Sequence, residues 1–532
     1  LPSNRTLEDF LESHLALIVP LNRECALAQW EHAQTGSEAA AARAAELTTS
    51  LLTIYANPEE FAELGRLREE GAADPRLARQ TDILYRQYQA AQMPVEALRK
   101  LVMLETEVAQ EYTNFRATVR GEPTPDNAVR GILKDSRDLA LREEAWRASK
   151  EIGARVGERV LEMIRIRNQV ARDQGFPNHY TKAFTLDELD EQRVFRLFDD
   201  LIALTDRPWH EWKQAFDRRQ SERLGIQPES MRPWHYTDPF FQEAPPGDLD
   251  LDSLYAGRNL EAITAAYYAA LGLPVEHLYP NCDLYERPGK DQHAFCMDVD
   301  REGDVRVLCN VRSNEYWMGT MLHEFGHAVY DYYTDRTLPY LLRGPAHLLL
   351  TEAIAEMMGK LSKDPTWLMV YLGASGEQAE AVRRAAAEEM RARHLVATRW
   401  IVTLCRFERE AYRDPEQDLN GLWWRTVYQT QGIQPPDGRD APDWAAKLHI
   451  ALAPAYYQNY LLGELAASQL VSALRSGPLS EDAPEALVCS AKVGRWLREN
   501  LFELGQTLPW EQALRHATDS LLDPRHFAEQ LV

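Results

Sequence analysis

The chain has 532 residues, 45% hydrophobic and 27% charged, the balance of a soluble globular enzyme with a sizeable core. Lys and Arg total 59 against 82 Asp and Glu, a net charge of -23, so no nucleic-acid partner is expected; such partners need basic patches. No run of about 18 apolar residues occurs, which predicts no membrane span, and six cysteines without a CxxC pair argue against a disulfide scaffold or a cysteine zinc site.

The first residues lack a basic segment followed by an apolar one, so a cytoplasmic protein is expected, although the absence of an initiator Met leaves a removed export signal open. Most of the first 220 residues read as helices, with Ala, Leu, Glu and Arg abundant and apolar residues at three- and four-residue steps. Thr185 and Glu188 have capping-box spacing ahead of Leu189, Val194, Phe195, Leu197 and Phe198, which predicts a helix start there. Residues 226–250 change character. Pro228, Pro233, Pro239, Pro245 and Pro246 alternate with Trp234, Tyr236, Phe240 and Phe241, the pattern of a long loop pinned by aromatics. His293–Asp298 and Asp304–Asn310 read as the two strands of a hairpin turning at Asp300–Gly303. Helices then resume to the end, broken at Gln434-Pro435-Pro436-Asp437-Gly438.

One motif carries chemistry. His323-Glu324-Phe325-Gly326-His327 is an HExxH sequence in a helical stretch. Residues four apart lie on one helix face, so His323 and His327 can reach a single ion. Glu324 is offset around the helix and is free to act as a general base on the attacking water. A catalytic zinc site takes three protein ligands and keeps an open position. Glu352 is the best third ligand, with Glu356 placed four residues on to orient a ligand imidazole. On their own these two glutamates would read as a solvated helix face. The flanking Ile354, Met357 and Met358 point instead to a buried helix. His347 is a rival third ligand.

With these residues in view, the sequence resembles the angiotensin-converting enzyme family of peptidyl-dipeptidases and the related thimet oligopeptidase family. The likeness is strongest over residues 251–470. Leu338-Pro339, Leu342-Arg343-Gly344 and Glu352-Ala353-Ile354 resemble the stretch that links the metal helix to the glutamate ligand in converting enzymes. His293 and Ala294 resemble the substrate-binding strand. Lys447 and His449 resemble the lysine that binds a substrate carboxylate and a second substrate histidine. Tyr457 and Tyr460 match a tyrosine pair of both families, which implies substrate contact for the first and oxyanion stabilisation for the second. By itself, a tyrosine cluster on a helix reads as core or interface packing. Several positions depart from converting enzymes. Gln458-Asn459 replaces the arginine expected for chloride binding, which puts chloride activation in doubt. The carboxylate-binding glutamine has no match near Tyr255–Arg258, and Gln292 stands where a cysteine would pair with the counterpart of Cys309. Asp283-Leu284-Tyr285 with Arg287-Pro288-Gly289-Lys290 looks more like the oligopeptidase branch.

The resemblance implies a mainly α, two-lobed peptidase with a deep groove and a small antiparallel hairpin at the active site. Residues 1–532 would form one peptidase unit. Within it, residues 1–250 would be an N-terminal helical lobe whose first 100 or so residues form a lid, and 251–532 the catalytic portion. It also implies one zinc ion per chain and short peptides as substrates, with the protein a monomer or homodimer. Release of C-terminal dipeptides is the first expectation, with catalysis by Glu324, Tyr460 and His449. Internal cleavage by an oligoendopeptidase is the second, and an inactive peptide-binding protein the third.

Overall fold

The computed structural model describes residues 5–245, 247, 249–483 and 485–532. Pro246, one of the prolines on which the loop reading rests, lies outside the described residues. Helices dominate, as expected, and the described strands form two small antiparallel hairpins.

Local chemistry marks the helix ends. The first helix, Leu7–Thr35, starts at Thr6, whose hydroxyl accepts from the Asp9 amide while the Asp9 carboxylate accepts from the Thr6 amide. It stops at Gly36, in the left-handed region at φ 64°. The helix expected to start at Thr185 begins later. Asp190 caps Glu191–Leu204 by accepting from the Arg193 amide. Thr185 is still inside the preceding helix, His179–Leu186, where its hydroxyl donates to the Thr181 carbonyl, and Glu188 takes φ 55° in the turn. The spacing S/T-x-x-E alone could not show that a better cap, an aspartate, followed.

Chain contacts divide the molecule into two compact units, each discontinuous in sequence. One comprises Leu1–Gln92, Asp248–Ala386 and Leu462–His526; the other comprises Met93–Gly247, Ala387–Leu461 and Phe527–Val532. The compact units therefore cut across the 1–250 and 251–532 portions, because the first 92 residues group with the HExxH segment.

In the first unit the helices Glu315–Tyr333 and Leu348–Gly359 pack tightly side by side. A Cβ on Gly326 would come within 2.9 Å of the Ala355 Cα, so the glycine inside the HExxH motif permits this approach. The hairpin pairs Phe295–Asp298 with Val305–Leu308 in antiparallel register. Its strands are shorter than the sequence suggests. The Asp291 carboxylate accepts from the His293 amide and bends the chain before the first strand. The segment from Asp283 to Lys290 clasps the hairpin. The buried Lys290 ammonium donates to the Asp283 carboxylate at 2.8 Å, to the Tyr285 carbonyl at 2.9 Å and to the Cys309 carbonyl. Burial alone would raise the Asp283 pKa, but hydrogen bonds from Arg287, Lys290 and Gln34 overcome it and hold it at about 2. Cys309 is a free thiol, so this clasp is electrostatic and hydrogen-bonded.

In the second unit the 35-residue helix Leu139–Asp173 forms the spine, burying Trp146, Ile152, Val156, Val160, Met163 and Ile164. The proline-rich loop is pinned as expected. Trp234, Tyr236 and Phe241 are buried, and the Arg142 guanidinium donates to the carbonyls of Trp234 and Tyr236 at 2.9 Å each. No helix among the described residues is long and apolar enough to cross a membrane.

Candidate metal centre and substrate-binding residues

The helix Glu315–Tyr333 starts at Asn314, whose side chain accepts from the Trp317 amide. Its buried face carries Met318, Met321, Leu322, Phe325, Ala328 and Val329. That packing fixes the rotation of the helix and aims His323 and His327 toward Glu352 on the neighbouring helix. His323 Nε2 lies 3.8 Å from Glu352 Oε2, and His327 Nε2 lies 3.9 Å from Glu352 Oε1. Among the described residues, these three form the group whose ligand atoms all fall within 4.8 Å of one another. Donors around a tetrahedral zinc stand about 3.4 Å apart, so small side-chain rotations close the set. The donor chemistry fits as well. Burial, and then the neighbouring His323, lower the His327 pKa to about 3, leaving an unprotonated lone pair.

Neighbouring groups hold the ligands. His327 Nδ1 is 2.7 Å from the Thr351 hydroxyl, which leaves Nε2 facing Glu352. His323 Nδ1 stands 4.0 Å from Glu356 Oε1, in ion-pair range. Gly359 and Gly463 allow close approach from two further sides. A Cβ on Gly359 would meet the His323 Cβ at 3.2 Å, and one on Gly463 the Glu352 Cβ at 3.2 Å. Thr351 was not legible as a functional position, since nothing distinguishes a threonine before a glutamate in a helix. The rival ligand His347 is otherwise employed: its Nδ1 accepts from the Leu349 amide at 3.0 Å and caps Leu348–Gly359.

Glu324 is 8% exposed and faces the same cavity, a space of about 570 Å³ lined also by Ala294, Cys296, Asp331, His347 and Thr351. Burial first, and then the Glu352 carboxylate, push its pKa up to about 8, while the Cys296 amide lowers it. Ala294 thus lines the cavity, whereas His293 is exposed and just outside the strand.

The other residues of interest gather within the second unit. The Lys447 ammonium donates to Gln242 Oε1 at 2.7 Å and stands 5.2 Å from the Trp400 ring and 5.4 Å from the Tyr457 ring. Burial lowers its pKa to about 8, against the raising field of Asp238. Trp400 Nε1 donates to the Tyr457 hydroxyl at 3.0 Å. The His449 ring meets Tyr457 edge-on at 5.0 Å, and Tyr457 meets Tyr460 at 5.3 Å. Burial first, then the charge of Lys447, hold the His449 pKa near 4. Tyr460 is 43% exposed, which disfavours the core-packing reading for that residue. Gln242 and Trp400 were missed in the sequence. They lie 205 and 47 residues from Lys447, beyond the reach of any local spacing.

Comparison with known proteins divides along the chain. Residues 275–532 match peptidase family M3, and residues 2–220 match the family described as angiotensin-converting enzyme. An angiotensin-converting enzyme of Theromyzon tessulatum is 21% identical over 480 residues, covering 81% of this chain and 75% of that protein. The chain is thus similar to the angiotensin-converting enzyme family over its first part and to peptidase family M3 over the part that carries the HExxH helix and its His-His-Glu cluster, and both families support a metallopeptidase.

Proposed function

We propose that the enzyme hydrolyses short peptides and releases C-terminal dipeptides. The observation that carries the dipeptidase reading is the Lys447 ammonium held against Gln242 and beside Tyr457. A half-buried ammonium with a neutral amide for a neighbour favours an incoming carboxylate, with which it forms a charge-assisted hydrogen bond. Gln242 would supply the amide contact for which the Tyr255–Arg258 region has no residue.

His323, His327 and Glu352 would hold the metal, one ion per chain. A bound zinc ion supplies Lewis-acid polarisation of the scissile carbonyl and acidifies the attacking water. Glu324 takes the proton of that water and delivers it to the leaving amine. Tyr460, with His449, donates hydrogen bonds to the oxygen that gains charge as the carbonyl becomes tetrahedral. His449 enters this role neutral, since burial keeps its pKa near 4. The chain around Ala294 aligns the peptide by strand addition along Phe295–Asp298, with His293 as a contact to a substrate carbonyl. Glu356 and Thr351 keep the two imidazoles oriented. No chloride requirement is expected, because Gln458 and Asn459 are uncharged. Six free cysteines favour a reducing compartment.

A second reading, an oligoendopeptidase, is favoured by the Asp283–Lys290 segment and by the M3 match over residues 275–532. Mass spectrometry of products from matched peptides with free and amidated C-termini, with and without chelator, separates the two. Dipeptides released only from free C-termini support the first reading. Equal cleavage of amidated peptides at internal bonds supports the second. An inactive peptide-binding protein would leave both peptides whole with metal bound.

A further inference from the structure

The cavity that holds the metal triad extends one helical turn past His327 to Asp331. His323, His327 and Asp331 recur every four residues and so follow one another along a single side of the helix. Asp331 is half-buried, and its described hydrogen-bond partner is the Cys296 thiol at 3.9 Å. Among the described residues, no ammonium or guanidinium pairs with it. Arg301, whose charge acts on Asp331 from a distance, directs its guanidinium elsewhere: it donates to the Tyr340 carbonyl at 3.2 Å and stacks on the Tyr340 ring. Behind Asp331 stands a second carboxylate, Asp298, on the same strand as Cys296 and held by the amides of Asp300 and Arg301. A carboxylate facing a cavity without a cationic partner is costly by itself. It becomes favourable when a ligand brings the charge.

We propose that the Asp331 end of this cavity is a side-chain subsite for a cationic residue, lysine or arginine, of the peptide substrate. The proposal rests on the peptidase reading. It does not depend on which bond is cut, because the subsite selects a side chain and not a peptide terminus. Ala294 and the strand that follows it, with Phe295 and Cys296, border the same cavity, so a peptide laid along them would direct a side chain toward Asp331. Cys296 and Phe295 supply the wall for the aliphatic stem of such a side chain.

The test is a peptide library in which each position near the scissile bond carries Lys, Arg, Gln, norleucine or Glu in turn. Product masses identify the bond cut in every case. They thereby judge the dipeptidase reading separately from the side-chain preference. Wild type should prefer a basic residue over its neutral isostere by about tenfold or more at one position, the size expected of a charge-assisted hydrogen bond. In Asp331→Asn the ratio of basic to neutral substrate should fall toward one, and Asp331→Lys should favour Glu at that same position. Binding of lysine and norleucine peptides to Glu324→Gln protein, measured by calorimetry, should show the same ratio without turnover. Absence of any basic preference in wild type overturns the proposal, as does an equal loss on basic and neutral peptides in a folded Asp331→Asn protein. If Asp331→Asn does not fold, the wild-type library and the calorimetry still decide.

Discussion

The metal centre and the Lys447 patch are built in opposite ways. His323, Glu324, His327, Thr351 and Glu352 come from two helices 30 residues of sequence apart at most, and helical periodicity alone brings the two histidines to one face. Gln242, Trp400, Lys447 and Tyr457 come from three distant stretches that only tertiary packing assembles. The first arrangement tolerates little change, because each donor must meet one ion. The second is a wall of amide, ammonium and aromatic rings which, on the proposed reading, would lose a member and still bind. Substitutions should therefore produce near-complete loss in one region and graded, substrate-dependent loss in the other.

The sharpest contrast is Glu324→Gln. Removing the base should lower kcat by about 10⁴-fold, the upper range for general-base catalysis, while one metal ion per chain is retained. Activity assays paired with metal analysis of the purified variant check this. Loss of the metal would instead mean that Glu324 shapes the site.

Lys447→Met should lower kcat/KM on free C-terminal peptides by about 100-fold and leave amidated peptides nearly as they were, which erases the discrimination between them. Gln242→Leu should do the same to a smaller degree, by about tenfold. If Lys447→Met acts equally on both substrates, the patch does not read a carboxylate, and the contrast with the metal centre concerns architecture alone.

A third variant probes how tightly the metal centre is specified. Thr351→Val removes the hydroxyl beside His327 Nδ1 and keeps the side-chain volume. Zinc affinity should fall by about 10- to 100-fold. Competition with a chromophoric chelator measures it. The KM for peptide should stay unchanged once the site is saturated, since no substrate contact is lost.

The same contrast governs what the sequence made legible. HExxH and Glu352 were readable because their chemistry is written in helical spacing. The hairpin was readable from alternation, but its ends were not: the bend at His293 depends on a side-chain bond from Asp291. The start near residue 190 was misplaced because two capping patterns overlapped and packing selected Asp190. Lys447, His449 and Tyr460 are singled out by resemblance, while their neighbours Gln242 and Trp400 are not. No local pattern in the chain links them. His347 drew attention as a chemically competent residue in an irregular stretch, and its use as a helix cap is a structural role that residue type cannot reveal. The two compact units were the least legible feature, because the chain crosses between them inside continuous helices such as Gly376–Arg413.

The smallest effect expected concerns pH. The Lys447 pKa is lowered to about 8, chiefly by burial, so the free enzyme loses the ammonium as pH rises through about 8. A carboxylate ligand favours the charged form. The kcat/KM for free C-terminal peptides should therefore decline above about pH 8, approaching tenfold per pH unit, as substrate must pay to restore the proton. His449 does not contribute to this limb, because its pKa near 4 keeps it neutral throughout that range. In Lys447→Met the decline attributable to this group should vanish, and amidated substrates should not show it in wild type either. A decline that persists identically in the variant would assign the alkaline limb to the metal centre, placing the pH sensitivity in the rigid region and not in the adaptable one.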